Sequence, residues 1–134
     1  MNALIPSDQT IDATIERLNS DPEFALKARI WEGRFKLVIG DDSYLFQMHE
    51  GKVERIVQEP DLYAEFGFLI AGPAEGWEKI FSVAPEPFYQ DVYSAWVHHG
   101  FTIEGDLEQF FGFHMAIRRM VQIIREARGA EARV

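Results

Sequence analysis

The chain contains no cysteine. That excludes a disulfide framework, a thiolate metal site and a cysteine nucleophile, and it fits a reducing compartment. No apolar run is long enough to span a bilayer, and Met1 to Pro6 has neither a basic start nor an apolar core. Neither a signal peptide nor an integral membrane anchor is therefore expected, and a cytoplasmic location is. Positive charge is also scarce: 13 Lys and Arg stand against 22 Asp and Glu, a formal net charge of −9. Such a surface repels phosphate backbones, so nucleic acid is not an expected partner. No glycine-rich phosphate loop is present and no serine sits in a nucleophile elbow. The paired Asp41-Asp42 falls in a turn, where carboxylates are solvated.

Bulky apolar surface is abundant. Eleven Phe, four Tyr and three Trp in 134 residues exceed what a small core ordinarily needs, and rings of this kind fill cores or line pockets. The length suits one domain over 1–134, with an N-terminal helical segment over 1–30 and a frayed tail over 128–134.

Periodicity suggests the order of elements. Ser7 or Asp8 caps a first helix with Ile11, Ile15 and Leu18 at helical spacing. Asp21-Pro22 stops it, and Pro22 opens a second helix through Ala28. A break follows around Trp31 to Gly33. Phe35, Leu37 and Ile39, then Tyr44, Phe46 and Met48, alternate as strands. With Val53 to Val57 they predict an antiparallel three-stranded meander over 34–58. Tyr63 to Ala71 reads as a fourth strand with Phe66, Phe68 and Ile70 on one face. Gly72-Pro73 starts a helix through about Val83, and Phe88 to Trp96 reads as another. Gly72, Gly76 and Gly33 are expected at turns that need glycine's conformational freedom. Phe101 and Ile103 mark a short fifth strand. Asp106 caps one long helix to about Ala127.

Along that last helix Leu107, Phe110, His114, Ile117, Val121 and Ile124 form one stripe, which Phe113, Met120 and Ile123 widen. The stripe exceeds the roughly 100° that packing on a sheet requires. A dimer partner, other helices or a bound apolar ligand must cover the excess. The fold class expected is α+β: a five-stranded, mainly antiparallel sheet with helices on one face and an apolar cavity between the layers. The ligand-lining residues expected are Phe68, Trp77, Phe81, Phe88, Val92, Trp96, Phe110, Phe111, His114, Ile117 and Met120. The arginines after Arg118 suit a solvated helix end, with docking on a membrane surface as the alternative.

The run Glu65 to Trp77 (EFGFLIAGPAEGW) is an alternating apolar strand, a polar turn and an aromatic on a helix. The run Phe101 to Leu107 (FTIEGDL) is a strand ending in glycine and a polar residue before an apolar C-terminal helix. In this order, after the meander from Phe35 to Val57, the chain resembles the sterol-carrier (SCP2-like) lipid-binding family over residues 30–125. It departs from the family between Trp77 and Gly100, where the segment from Pro85 to Trp96 is longer and more aromatic, and this bears on pocket size and ligand class. The resemblance implies that fatty acids, acyl chains, sterols or isoprenoid-like compounds bind, with no conserved catalytic set and no cofactor.

His98, His99 and His114, with Glu104 and Asp106, match no metal-binding spacing, so no metal site is expected. His114 stands apart as a polar group on an apolar stripe: a satisfied core histidine, a contact for a ligand's polar end, or an acid–base group assisted by Asp91, Tyr89 or Tyr93. Three readings follow. The first is a non-enzymatic carrier of an apolar small molecule. The second is a small isomerase, cyclase or hydratase using His114. The third is an accessory module whose stripe forms a homodimer or docks on a larger enzyme.

Overall fold

The computed structural model describes residues 8–132, and side chains over 11–128; Ser7, one of the two caps expected, lies outside the described residues. The elements run α1 (Asp8–Ser20), α2 (Pro22–Ala28), β1 (Gly33–Ile39), β2 (Asp42–His49), β3 (Lys52–Gln58), β4 (Phe68–Gly72), α3 (Ala74–Ile80), α4 (Val92–His98), β5 (Thr102–Gly105), α5 (Leu107–Gly112) and α6 (His114–Ala132). The sheet order is β3-β2-β1-β4-β5. All neighbours are antiparallel except β1 and β4, which run parallel, as a crossover through the meander demands.

Alternation places Phe35, Leu37 and Ile39 on the buried face of β1. The register then builds a row across four strands: Ile56 opposite Phe46, Phe46 opposite Phe35, and Phe35 opposite Phe68. Phe35 stacks on Phe46 at 4.8 Å and on Phe68 at 5.4 Å between centroids. Trp31, 1% exposed, lies on Phe35 at 5.0 Å. The ring of Phe113 lies on Trp31 at 4.6 Å and nearly parallel, 2° between planes. Each such pair adds about 1 kcal/mol to the burial of its area.

Other helices cover much of the wide apolar stripe, though Leu107 stays 37% exposed. Ala116, Ile117, Met120, Val121, Ile123 and Ile124 are all buried, and α1 and α2 pack on α6. The carboxylate of Asp21 fixes that packing. Its Oδ2 accepts from the Phe24 amide at 2.8 Å, capping α2, and the Arg119 guanidinium donates to both its oxygens at 3.0 and 2.9 Å. The arginines of α6 thus do not form a solvated end. Arg119 binds Asp21, Arg125 donates twice to the Ile80 carbonyl and once to that of Gln90, and Arg128 reaches Glu78. Of the arginines with described side chains on α6, Arg118 is exposed.

Several boundaries depart from the sequence reading. The fourth strand begins at Phe68, not Tyr63, because Asp61 folds the preceding residues into a turn: its Oδ1 accepts from the Tyr63 amide at 2.8 Å and its carbonyl from that of Ala64. Phe66 therefore sits outside the strand, with the Lys36 ammonium 4.7 Å from its ring centre. Helix α3 stops at Ile80, where Arg125 takes the carbonyl, and α4 starts at Val92, where Asp91 caps the Ser94 amide at 2.9 Å. The last helix is two. Phe113, at φ −114° and ψ 17°, leaves the helical path after Gly112, a poor helix former. Helix α6 then runs past the Arg128-Gly129 end expected, to Ala132. Gly72 and Gly76 serve space, not conformation: a Cβ would meet the Phe101 ring at 2.6 and 2.8 Å. Gly33 does need its freedom, at φ +126°.

Replacing Asp21 by Asn should lower unfolding free energy by about 2 kcal/mol at neutral pH, through loss of the Arg119 pair and weakening of the cap. The guanidinium holds the Asp21 carboxyl down at about 2, from 3.8. Its contribution is therefore complete above 3.8 and is lost as pH falls toward 2. Urea titrations of both proteins at stepped pH should show the gap between them closing over that window.

Candidate functional site: an aromatic seam around His114

From the stacked row on the sheet, rings continue outward to solvent. Phe68 meets the edge of Phe110 at 5.7 Å, and Phe110 meets Phe111 at 5.1 Å. Phe111 faces Tyr93 at 5.8 Å and Trp96 at 6.3 Å. Phe68 and Phe110 are fully buried, whereas Tyr93 and Phe111 are 41% and 49% exposed. The seam between α4, α5 and the start of α6 is thus lined by rings from the surface down to the sheet. The break at Phe113 creates it. A straight helix would carry Phe110 and Phe113 on one continuous ridge; the turn instead places Phe113 on Trp31, while Phe110 meets Phe68 and His114 meets Tyr93 of α4.

His114 opens α6 within this shell, 5.7 Å from Tyr93 and 5.5 Å from Phe110 between ring centres. Its Nε2 is buried and has no hydrogen-bond partner. Burial holds the imidazole below its ordinary 6.5; the charge of Asp91 opposes this and that of Arg118 adds to it. The ring is therefore neutral at physiological pH. A second orphan lies close in the chain of contacts: the indole nitrogen of Trp31, the residue on which Phe113 stacks, is also buried and unpaired.

The residues expected to line a pocket separate into groups. Phe68, Phe110, Phe111, Trp96 and His114 come together in the seam. Val92, Ile117 and Met120 are buried in the same core. Trp77 and Phe81 instead stack with each other at 5.7 Å, Trp77 meets the Phe101 ring at 5.2 Å, and the Trp77 indole donates to the Val38 carbonyl at 2.9 Å. Phe88, 46% exposed, stacks on His98 at 3.7 Å. Trp31 and Tyr93 belong to the seam although spacing did not single them out. Trp31 sits in a break between elements, where no periodicity reports burial.

Of the groups that might have joined His114 in proton transfer, Asp91 caps α4 and Tyr89 stacks on His99 at 3.8 Å, whereas Tyr93 lies beside His114, 5.7 Å between ring centres. Among the described residues no three of His, Asp and Glu come together around an ion, and no helix is long and apolar enough to cross a membrane. Among the described residues, clefts open to solvent beside Gly33, Tyr63 and Phe66, about 550 Å³, and between α1 and β3, about 760 Å³. Neither is lined by the seam residues.

Comparison with solved structures decides the architecture. A crystal structure of sterol carrier protein 2 superposes with a TM-score of 0.68 at 20% identity, over 87% of this chain and 93% of that one. The fold is that of sterol carrier protein 2. A conserved hypothetical protein of Thermus thermophilus, described as a candidate sterol carrier, gives 0.72 at 18% identity over 94% and 90%. An SCP2 protein named for ubiquinone synthesis gives 0.57 at 12% identity over 85% and 88%. At the level of sequence, no family model and no curated protein matches. The SCP2-like fold is thus shared with chains that have diverged far in sequence, and the seam must be judged on its own residues.

The half-buried imidazole has a thermodynamic signature. Unfolded His114 takes up a proton as pH falls through about 6.5, while the folded ring resists until lower pH. Stability should then be retained above 6.5 and decline below it. His49, raised by Glu32, contributes with the opposite sign. Urea midpoints for the native chain and His114→Phe isolate the contribution: the variant's curve should be flatter below about pH 6.5.

Proposed function

We propose that the chain binds an apolar small molecule between its helices and sheet and carries it without transforming it. The observation that carries this reading is the continuous run of rings from half-exposed Tyr93 and Phe111 to buried Phe110 and Phe68. Exposed rings in contact with a buried aromatic layer offer an apolar molecule a route on which it stays out of water throughout. Neighbours in fold named for sterol carriage and for ubiquinone synthesis support the reading, since sterols and ubiquinone are both largely apolar. Fatty acyl chains, sterols and isoprenoids all match the chemistry of the seam. Phe110, Phe111, His114, Trp96, Ile117 and Met120 would touch the ligand, with Phe68 at its floor.

The enzymatic alternative asks for a proton-transfer pair, and no carboxylate hydrogen-bonds His114 among the described residues. The homodimer alternative rested on an uncovered stripe, much of which α1 and α2 cover.

Titration with N-phenyl-1-naphthylamine, an uncharged fluorescent probe, should give a saturable signal with one site per chain. Solvent extraction of the purified protein followed by mass spectrometry should yield an apolar compound. A chain that yields none and leaves the probe dark contradicts the proposal.

A further inference from the structure

The face of the sheet turned away from the core carries a second feature. Phe35, Leu37 and Ile39 point into the core, so alternation puts Arg34, Lys36 and Val38 on the other side of β1. The register extends that side across the sheet. Arg34 lies opposite Gln47, and Gln47 opposite Arg55. Lys36 lies between Leu45 and Leu69, and Leu45 opposite Val57. Lys52, opposite His49, joins them at the start of β3. Arg34, Lys52 and Arg55 are exposed. Leu45 is buried but stands apart from the main core, and with half-buried Val38, Val57 and Leu69 it gives the cations an apolar floor.

Four cations on three adjacent strands stand out in a chain of net charge −9. Lys27, Lys79, Arg119 and Arg128 are matched by Glu23, Glu86, Asp21 and Glu78. Among the described residues, Arg34, Lys36, Lys52 and Arg55 enter no ion pair, although Glu54 stands in the bulge of β3 and Glu104 lies opposite Leu69. The Lys36 ammonium instead lies 4.7 Å from the Phe66 ring centre. Beside Arg34 and Phe66 opens the cleft of about 550 Å³, walled also by Tyr63 and Gly67. Leu62 and Tyr63 are almost wholly exposed. Arginine beside exposed Tyr and Phe, with a recess among them, is the composition in which protein interfaces concentrate their binding energy.

We propose that this face docks an acidic segment of a partner protein, its carboxylates meeting Arg34, Lys36, Lys52 and Arg55 and one of its aromatic side chains entering the cleft. Screening separates such a partner from other anions. At physiological ionic strength charges fade beyond about 8 Å, so a short segment on this face meets its cations and little of the remaining acidic surface. An anionic bilayer or a nucleic acid is an extended field of charge that presses against the acidic remainder as well. The loop beside the cleft, with Glu59, Asp61 and Glu65, would meet that field first. The face lies across the sheet from the aromatic seam, and the proposal stands independently of the carrier reading.

A synthetic peptide of glutamates flanking one phenylalanine, titrated into isotopically labelled protein at low salt, serves as the probe. Saturable amide shifts should cluster at Arg34, Lys36, Gln47 and Arg55, and at Phe66 and Gly67 of the cleft. Joint replacement Arg34→Gln and Arg55→Gln should weaken binding about 3- to 10-fold. Joint replacement Arg17→Gln and Arg118→Gln, at exposed cations of α1 and α6, removes the same charge and should change binding by less than about twofold. All four side chains are exposed, so both variants should fold, and their amide spectra check it. Glycine in place of the peptide's phenylalanine should silence the shifts at Phe66 and Gly67 and leave those at Arg55. Equal weakening in the two variants reduces the effect to bulk charge and overturns the proposal, as does a peptide that fails to bind. Vesicles of phosphatidylcholine and phosphatidylserine that bind through Arg34 and Arg55 while the peptide does not would assign the face to a membrane and overturn it too.

Discussion

Trp31 is clamped between a β-sheet and a helix junction, and the arrangement of both layers depends on that clamp. Its indole lies on Phe35 of the central strand and under Phe113, the residue at which the last helical segment breaks. Stacking at both faces fixes the height of the helical layer over the sheet. At Phe113 the chain also leaves the helical path, and His114, the next residue, meets Tyr93 of α4. The cost is an indole N–H buried with no acceptor, and a structure keeps such a group only when the packing around it overrides the penalty.

The helical layer is held unevenly. From Arg119 onward α6 is tied by directional polar contacts: to Asp21 at the start of α2, to the last carbonyl of α3, and to Glu78. Its opening turn is held by ring contacts, through His114 to Tyr93 and Phe110. Ring contacts are weak individually and tolerate sliding, whereas a bidentate guanidinium–carboxylate pair does not. The fastened end holds the fold, and the ring-held end is where the proposed ligand would pass between the layers.

Much of this is legible in the order of residues alone. Alternation of Phe35, Leu37 and Ile39 with charged or opposite-face residues sets the meander, and Asp21-Pro22 marks both the end of one helix and the cap of the next. These signals are local, so a linear reading captures them. What escapes such a reading depends on partners distant in sequence. Arg125 ends α3 by taking a carbonyl 45 residues away, and Arg119 binds a carboxylate 98 residues away; on a helical wheel both read as solvated charges. Trp31 lies in a break, where periodicity is silent. His114 is visible as a polar residue on an apolar stripe, but the lack of any partner for its Nε2 is a three-dimensional fact. The width of the stripe is plain from spacing, and α1 and α2 account for much of it.

The central claim is that an apolar molecule enters the layer between sheet and helices at the seam. Intermolecular nuclear Overhauser effects between isotopically labelled protein and unlabelled dodecan-1-ol test it most directly. The account predicts cross-peaks from the alkyl chain to Ile117, Met120 and the ring of Phe110, all buried in the free protein. Cross-peaks confined to Phe88, Tyr63 and other surface rings, with the interior silent, would contradict it.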